Sequence, residues 1–434
     1  MLNSAPVGRP ARYQSTSRRV VGLAIVLGAI GVLALVVAIG MRIVLPVFHF
    51  PHPSGPYEIG TLTYHWVDDD RAEIFSVDPK VRRELMVQIW YPAKASPSLP
   101  RAPYVQDADA LGTELARLFH VPAFVFGHVK YVTSTAIPAA PVSDDLPSYP
   151  VLIFLEGLNG FRQMNTFQVE ELVSHGYIVA AIDQPYAAAV VVFPDGRQVA
   201  GLQADQMKVL MRPSLGPTES ASILNGRVLT DGIIPYLAQD AIFTLDHLAI
   251  LNQADTNGIL TGRLDLQRAG TFGVSLGGIV GSEACRRDPR LRACLVMDAP
   301  MPADVVKAGL RQPTLWITRD AETMRLERQR GGGWSEADIE QHQTTMRAAF
   351  EKSPPGAGYF VQVPGMFHIN LTDIPYWNRL NYRLGFTGPI DAFRAHGIIN
   401  AYSLAFFDRH LKGRPAVLLD RPAELFPEVP FESR

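Results

Sequence analysis

The chain lacks the features that mark several large classes of protein. Its 434 residues include only two cysteines, so a fold held together by disulfides is excluded. The formal net charge is −2, and a near-neutral chain gives no support to nucleic-acid binding, which needs a concentrated basic surface. The sequence has no internal repeat and no long low-complexity tract. It also has no cluster with metal-ligand spacing and no glycine-rich phosphate loop, so we expect neither a metal nor a cofactor.

What the chain does contain is ample material for a core. Hydrophobic residues make up 47% of the sequence and charged residues 19%. A chain of this length and composition can form one large domain or two smaller ones. The order of its segments, described below, favours one domain over residues 57–434.

The N-terminus contains an uncharged apolar run from Val20 to Met41. These 22 residues span about 30 Å as a helix, enough to cross a bilayer. Four arginines precede the run and only Arg42 directly follows it, so the positive-inside rule places residues 1–19 in the cytoplasm. We therefore expect a single-pass membrane anchor with the remaining chain in the periplasm or at the cell surface. The alternative is a signal peptide cleaved near Val36-Val37-Ala38, which would give a secreted protein.

After a linker over residues 42–56, short apolar runs alternate with helical patterns, and such runs are typical of strands covered on both faces. The predicted strands are Tyr57–Trp66, Glu84–Tyr91, Pro150–Leu155, Tyr177–Asp183, Arg268–Val274, Arg292–Asp298, Pro313–Thr318 and Gly358–Val363. The predicted helices are Asn165–His175, Tyr236–Asn252, Leu276–Arg287, Ser335–Glu351 and Ile390–Leu411. This order predicts an α/β fold with a mostly parallel central sheet and helices on both faces. In such sheets ligands bind beyond the carboxyl ends of the strands.

One segment, residues 201–232, has no clear place in this alternation. Its mixture of methionine, leucine, proline and glycine suits a lid over the site. An inert surface insertion is the other interpretation, and the sequence does not separate the two.

Gly273-Val274-Ser275-Leu276-Gly277 is the most informative stretch of the chain. It lies between a predicted strand and a predicted helix, and strand, Gly-x-Ser-x-Gly and helix together form the nucleophile elbow of serine hydrolases. The two glycines permit a sharp turn that holds the serine in a strained conformation. The motif predicts Ser275 as a nucleophile. It also predicts the amide of Leu276, at the start of the helix, as a donor to an oxyanion.

A nucleophilic serine requires a histidine to take its proton and a carboxylate to orient that histidine. On this fold the chain order is serine, acid, histidine. His368 follows the last predicted strand in a glycine-bearing loop and is the predicted base, whereas His396 and His410 lie in the C-terminal helical region. Asp298 ends the strand after the elbow and Asp320 follows the next strand. Position alone permits either as the acid.

The loop over residues 156–162 follows the strand Pro150–Leu155 and contains two glycines that let it fold close to the site. We predict that the amide of Leu158 is the second oxyanion donor, and an ordinary turn is the alternative. Within or near this region, Glu156, Phe161 and Tyr186 are candidates for contact with substrate.

Here the chain resembles the plasma-type platelet-activating factor acetylhydrolase family of α/β-hydrolases, particularly its bacterial esterase relatives. The matching stretches are RELMVQIWYPA (Arg83–Ala93), PVLIFLEGLNGFR (Pro150–Arg162), ELVSHGYIVAAIDQPYA (Glu171–Ala187), FPDGR (Phe193–Arg197), GRLDLQRAGTFGVSLGG (Gly262–Gly278), MFHINLTD (Met366–Asp373) and NAYSLAFFDRHLKG (Asn400–Gly413). The resemblance implies an α/β-hydrolase that cleaves carboxylic esters through an acyl-enzyme. The family places its acid 23 residues after the serine, which selects Asp298 over Asp320.

Two positions depart from the family pattern. Glu156 stands where the family usually has histidine before the oxyanion loop, and Val274 replaces the histidine of the elbow. Neither position has a triad role, so hydrolysis is still expected. A carboxylate at residue 156 either disfavours anionic substrates or hydrogen-bonds a loop amide.

Because of these two departures, the sequence does not select one class of substrate. The resemblance implies either phospholipids with short or oxidised acyl groups, or the substrates of a general short-chain carboxylesterase or polyester hydrolase. An anchor beside a bilayer would favour the lipids. A catalytically inactive hydrolase fold that acts as a binding protein is the remaining alternative.

The two cysteines, Cys285 and Cys294, are separated by eight residues. In an oxidising compartment they could form a disulfide. The other interpretation is two buried thiols that act as small hydrophobic side chains.

Overall fold

The computed structural model describes the backbone of residues 15–94, 98–218, 220–378 and 380–434. Within these ranges the side chains of residues 15–19, 34, 37, 38 and 423 are not described. The chain divides into two compact units, Met1–Pro46 and Val47–Arg434. The described part of the first unit is mainly the helix α1 (Ser15–Val44).

α1 includes the residues predicted to form a membrane anchor. A bilayer core of about 30 Å needs about 20 consecutive apolar residues in one helix. Among the residues that the structure describes, no helix meets both the length and the apolarity that a membrane span requires. The side chains at 34, 37 and 38, and most of the predicted tail over residues 1–19, lie outside the described part. The predicted anchor over residues 20–41 is therefore not supported.

The second unit alternates strands and helices. Its strands are β1 (Glu58–Ala72), β2 (Arg82–Ala93), β3 (Ile137–Pro138), β4 (Tyr149–Leu155), β5 (Ile178–Asp183), β6 (Val190–Val192), β7 (Gln198–Ala200), β8 (Ser222–Leu224), β9 (Arg227–Leu229), β10 (Leu264–Val274), β11 (Leu291–Met297), β12 (Thr314–Thr318), β13 (Gly358–Gln362) and β14 (Phe431–Ser433). Its α-helices are α2 (Ala108–Phe119), α3 (Thr166–Ser174), α4 (Ala204–Leu215), α5 (Ile234–Gln253), α6 (Leu276–Arg287), α7 (Ala303–Ala308), α8 (Ala321–Gly331), α9 (Glu336–Phe350), α10 (Ile374–Trp377), α11 (Ala392–Lys412) and α12 (Val417–Asp420). Short 3-10 helices cover Ala123–Val125, Val129–Tyr131, His368–Leu371 and Pro422–Glu424.

The main sheet has the order β14-β13-β12-β11-β10-β4-β5-β2-β1-β3 across the described residues. The central strands β5, β4, β10, β11, β12 and β13 pair in parallel. β2 pairs antiparallel with both β1 and β5, and β14 pairs antiparallel with β13. The carboxyl ends of β4, β10, β11 and β12 therefore lie side by side at one edge of the sheet. That edge is where a ligand site is expected in such a fold.

The central strands are continuous apolar runs because both faces of the sheet are covered. In β4, Leu152 and Phe154 belong to a core layer shared with α3 and α11. The alternate residues, Val151, Ile153 and Leu155, belong to a second layer shared with α5, α6 and α9. The sheet thus separates two hydrophobic layers, and helices close each of them.

Within the second unit, the segment just before β1 packs on the core. Phe48 and Phe50 are buried, and their rings lie edge-on to Tyr104 with centroids 5.8 and 5.0 Å away. The backbone N–H of Ser54 donates to the carboxylate of Glu171 at 2.9 Å. The second half of the predicted linker is therefore fixed to the fold by its phenylalanines.

The unassigned segment 201–232 contains α4 and the hairpin of β8 and β9. Met207, Leu210 and Met211 of α4 are buried in the core layer that also contains α5. The segment is therefore attached to the domain core through α4. A lid function for it stays a prediction.

Cys285 of α6 and Cys294 of β11 are free, buried thiols. Both sulfur atoms lie near the hydroxyl of Thr271, at 3.2 and 3.6 Å. The structure therefore agrees with the second interpretation, in which the two thiols pack as small side chains.

A buried network of ion pairs links the antiparallel part of the sheet to α5. Arg83 of β2 is fully buried, and its Nε and Nη2 lie 3.1 and 2.6 Å from the carboxylate of Asp240. The Nη1 atom of Arg83 donates to Glu73 at 2.9 Å, and Arg71 donates to Asp240 at 2.6 Å. Each of these charges would be costly in the interior without its partners.

We predict that Asp240→Ala lowers the free energy of unfolding by about 3–5 kcal/mol, because it leaves two arginines without their shared carboxylate. Asp246→Ala is the matched control on the same helix. Asp246 pairs with Arg290 where both side chains are about half exposed, and such a pair contributes about 0–1 kcal/mol. Urea unfolding followed by circular dichroism measures both variants. Equal losses would contradict the importance given to the buried network.

Candidate active site

Ser275 occupies a sharp turn between β10 and α6. Its backbone has φ 56° and ψ −121°, a strained conformation for a residue with a side chain. A Cβ atom added to Gly273 would lie 2.4 Å from the backbone of Gly277. A Cβ atom added to Gly277 would lie 1.9 Å from the carbonyl oxygen of Leu155. The turn therefore requires glycine at both positions, as the elbow motif predicts.

Asp298 and His368 meet at the same edge of the sheet. Asp298 directly follows β11, has a φ of 49° and is fully buried. Its Oδ2 atom lies 2.6 Å from Nδ1 of His368, which begins the 3-10 helix after β13. With Nδ1 held by the carboxylate, Nε2 is the ring nitrogen left for proton transfer. The His368 side chain is 22% exposed, so it is accessible to a substrate.

Asp320, the other candidate acid, has a different role. It is the N-cap residue of α8, and its carboxylate accepts hydrogen bonds from the backbone N–H and the hydroxyl of Thr323, at 2.7 and 2.8 Å. These bonds satisfy the start of the helix. Of the two aspartates, Asp298 is the one whose carboxylate contacts His368.

The carboxylate of Asp298 has further partners. Its Oδ1 atom lies 3.1 Å from the hydroxyl of Thr318 and 3.2 Å from Nε2 of His342. Its Oδ2 atom also accepts from Nε of Arg319 at 2.7 Å. Burial alone would raise the pKa of Asp298, but the charge of Arg319 and the contacts with His342 and His368 hold that pKa well below its usual range. The carboxylate is therefore ionised at neutral pH.

The pKa of His368 lies below the ordinary value, whereas pairing with a carboxylate raises the pKa of an exposed histidine. Burial lowers the pKa below the ordinary value, the hydrogen bond and charge of Asp298 raise it in part, and the charge of Arg319 lowers it again. The net direction is downward. His368 is therefore neutral at neutral pH, the state that a general base requires.

The loop after β4 lies against Ser275. A Cβ atom added to Gly157 would stand 3.4 Å from Cβ of Ser275, an ordinary van der Waals distance. The loop is fixed at its far end because Asp183 accepts from the backbone N–H of Arg162 at 2.6 Å and also pairs with the Arg162 side chain. Neither the N–H of Leu158 nor that of Leu276 donates to another residue that the structure describes. Neither amide therefore has a competing acceptor among the described residues, and a role for them in binding an oxyanion stays a prediction.

Glu156 is the first residue of this loop and is buried. Its Oε1 atom accepts from the backbone N–H of Gln184 at 2.9 Å, and its Oε2 atom has no partner among the described residues. Burial, followed by the nearby charge of Asp183, raises the pKa of Glu156 well above its usual range. This shift favours the protonated, neutral form of the side chain over a negative charge beside the oxyanion loop.

The other two candidate contact residues pack against aromatic neighbours. Phe161 is buried, and its ring centroid lies 6.1 Å from that of Tyr104 and 6.0 Å from that of Trp377. Tyr186 has a φ of 71°, and its ring stacks on Phe75 at 4.5 Å. Contact with substrate stays a prediction for Glu156, Phe161 and Tyr186.

Several residues that contact the Asp298–His368 pair are not among those predicted from the sequence. Arg319 directly follows β12, and this position at the carboxyl end of a strand could have marked it as a candidate site residue. Of the residues after β11 and β12, only the two aspartates were considered. His342 lies on the buried face of α9 with Ile339 and Met346, where a histidine interrupts an apolar stripe. Trp334, in a glycine-rich loop, has its ring centroid 5.3 Å from that of His368, and no local pattern marked it.

A second serine, histidine and carboxylate cluster lies on the surface, formed by Ser54, His175 and Glu171. The hydroxyl of Ser54 lies 2.9 Å from Nε2 of His175 and also donates to Glu171. Glu171 approaches the same Nε2 atom, at 3.3 Å. A triad needs the acid on the opposite ring nitrogen. This cluster therefore joins the segment before β1 to α3 and is not a second active site.

The strained serine turn, the paired aspartate and histidine, and the parallel sheet that brings them to one edge define an α/β-hydrolase. Residues 43–416 match the family model described as platelet-activating factor acetylhydrolase, isoform II. The chain belongs to this family.

Curated relatives and a solved structure agree with this assignment. The dog platelet-activating factor acetylhydrolase is 24% identical over 271 residues, which cover 61% of this chain and 57% of the relative. The match to that relative thus spans little more than half its length. A probable 1-alkyl-2-acetylglycerophosphocholine esterase from Arthroderma benhamiae is 24% identical over 408 residues, 88% of this chain and 94% of the relative. A ferulic acid esterase structure from Streptomyces cinnamoneus has a TM-score of 0.66 and 29% identity, with 88% of this chain and 98% of the other covered.

The raised pKa of Glu156 leads to a prediction for stability. Because the folded protein holds a proton at Glu156 that the unfolded chain releases above its ordinary pKa, the free energy of unfolding falls as the pH rises through that range. Glu156→Gln removes this dependence. We expect the stability of the variant relative to the natural protein to increase as the pH rises above the ordinary pKa of a glutamate, by up to about 1.4 kcal/mol per pH unit.

Urea midpoints at several pH values measure the effect. The exposed Glu340→Gln on α9 is the control, for which we expect a difference from the natural protein that stays constant with pH. A constant difference for Glu156→Gln as well would show that Glu156 is ionised in the folded protein.

Proposed function

We propose that the protein is a serine carboxylic ester hydrolase that acts through an acyl-enzyme. The observation that carries the proposal is the 2.6 Å contact between Asp298 Oδ2 and His368 Nδ1, at the edge of the sheet where Ser275 occupies its strained turn. Membership of the platelet-activating factor acetylhydrolase isoform II family and the esterase structure at 29% identity support the same reaction class.

In the proposed reaction, Ser275 Oγ attacks the ester carbonyl carbon while Nε2 of His368 takes the hydroxyl proton. Asp298 holds His368 in the tautomer that leaves Nε2 unprotonated and stabilises the imidazolium that forms. The carbonyl oxygen becomes an oxyanion, and the amides of Leu158 and Leu276 are the proposed donors to it. The C–O bond to the leaving alcohol then breaks, and His368 returns the proton to that alcohol.

The second half of the reaction repeats these steps with water. His368 takes a proton from a water molecule as its oxygen attacks the acyl carbon of the Ser275 ester. The intermediate collapses by breaking the bond to Ser275 Oγ, which recovers its proton from His368. The acid product leaves, and the three side chains return to their starting state. The low pKa of Asp298 suits this cycle, because its carboxylate keeps its charge while His368 gains and loses a proton.

The first candidate substrate is a phospholipid with a short or oxidised acyl group. Its support is the family and the relatives named platelet-activating factor acetylhydrolase and 1-alkyl-2-acetylglycerophosphocholine esterase. Without support for a membrane anchor, location no longer favours lipids. The second candidate is a small ester without a lipid part, or a polyester, and it is favoured by the ferulic acid esterase structure, of which this chain covers 98%.

A fluorophosphonate probe tests the reaction class. We expect the natural protein to be labelled and Ser275→Ala to lose at least about 1,000-fold of its ester hydrolysis, since the acyl group then has no nucleophile to bind. Ser282→Ala, in the same helix and remote from the turn, is the control and should be labelled normally. If the natural protein is not labelled, or if Ser275→Ala is labelled equally, the chain is an inactive hydrolase fold or uses another nucleophile.

A comparison of two esters separates the substrate candidates. The full chain is assayed with p-nitrophenyl acetate and with a phosphatidylcholine that carries a short sn-2 chain. We expect hydrolysis of both, with the higher kcat/KM for the phospholipid if the first candidate is right. Hydrolysis of p-nitrophenyl acetate alone would refute the lipid candidate and leave the second. Ser275→Ala gives the background rate for each assay.

A further inference from the structure

One oxygen of the Asp298 carboxylate has two partners. Oδ2 lies 2.6 Å from Nδ1 of His368 and 2.7 Å from Nε of Arg319. Charge-assisted hydrogen bonds of this length are among the strongest that side chains make. The position of Arg319 therefore helps to fix the oxygen atom to which His368 is bound.

Arg319 and Glu327 connect this oxygen to the backbone of His368. The Nη1 atom of Arg319 donates to Oε2 of Glu327, a residue of α8. The Oε1 atom of Glu327 accepts from the backbone N–H of His368 at 3.3 Å. Asp298, Arg319, Glu327 and His368 thus form a closed ring of polar contacts that holds His368 by both its imidazole and its main chain.

The surroundings of Arg319 keep the ring together. Its side chain is fully buried and that of Glu327 is 14% exposed, so Arg319 cannot exchange these partners for water. The ring of Trp334 covers the guanidinium at 5.0 Å and stands edge-on to His368 at 5.3 Å. A buried arginine remains favourable only while its carboxylate partners remain in place.

We propose that Arg319 and Glu327 are positioning residues that hold Asp298 and His368 in the geometry required for proton transfer. This proposal rests on the proposed function, because it assigns a role to residues that act through the catalytic pair. Neither residue touches the reacting atoms. The alternative is that Arg319 and Glu327 only stabilise the fold, so the tests need a measurement that stability alone does not change.

The pH dependence of kcat/KM is such a measurement. The charged or titratable groups that face His368 are Asp298, Arg319, His342 and Glu327. Burial is the main cause that lowers the pKa of His368, and the charge of Arg319 lowers this pKa further because it disfavours the imidazolium. The reaction requires neutral His368, and activity therefore rises with pH through this pKa. Loss of the Arg319 charge raises the pKa of His368 and moves the acid limb of the profile to higher pH.

Three variants test the proposal. For Arg319→Met we expect an acid limb about one pH unit higher and a kcat lower by about 100-fold, with little change in KM. For Arg319→Lys, which keeps the charge without the two-pronged geometry, we expect a lower kcat and an unmoved acid limb. Glu327→Gln keeps an oxygen acceptor for the His368 N–H, so we expect a smaller loss of kcat than for Arg319→Met.

Folding is controlled separately. Arg325→Met, on the same helix as Glu327, removes an exposed ion pair with Glu336 and should have the natural pH profile. If Arg319→Met does not fold, the double variant Arg319→Met/Glu327→Met removes both buried charges together and should restore the fold. The positioning role predicts that this double variant keeps the kinetic defect.

The outcomes separate this proposal from the proposed function. If the fluorophosphonate probe does not label the natural protein, the proposed function fails. If the natural protein is labelled, and folded Arg319→Met or the double variant reacts at the natural rate with the natural pH midpoint, the function stands and the positioning role is refuted. A stable, folded variant with a raised acid limb and a reduced kcat supports the positioning role.

Discussion

The carboxylate of Asp298 is a full negative charge placed where water does not reach it. An ionised group in such a position requires partners on every side, and Thr318, Arg319, His342 and His368 provide them. Because these partners come from three separate segments of the chain, satisfying this one charge aligns the end of β12, the start of the 3-10 helix and the inner face of α9. The contacts that satisfy the buried charge of Asp298 therefore also fix the position of His368.

The order of the strands explains why these contacts are local although the residues are distant in sequence. β10, β11 and β12 are neighbours in the sheet, and Ser275, Asp298 and Arg319 are the residues that directly follow them. β4, on the other side of β10, delivers the loop that passes Ser275. Parallel pairing places all four chain segments at the same edge, so the fold brings the proposed nucleophile, acid, oxyanion loop and positioning arginine together although long stretches of sequence separate some of them.

Much of this arrangement was predictable because its signals are local. The continuous apolar strands, the helix after Ser275 and the glycine requirement of the turn each follow from a short run of residues. The choice of Asp298 over Asp320 needed the spacing implied by family resemblance, since both follow strands and differ only in which backbone or side-chain groups lie nearby. Arg319 and His342 could not be assigned from the sequence, because their contacts depend on how β12 and α9 meet. The apolar run at residues 20–41 led to an anchor that the described structure does not support.

The packing of Phe48 and Phe50 has a consequence for where the catalytic unit can be cut. A recombinant protein that begins at β1 would contain every strand of the sheet. It would nevertheless leave Tyr104 and Tyr376 without the rings of Phe48 and Phe50 that pack on them. Each phenylalanine lost from such an interior costs about 3–5 kcal/mol, a large part of the total stability of a typical domain. The working N-terminal boundary of the unit thus lies before residue 48, ten residues upstream of its first strand.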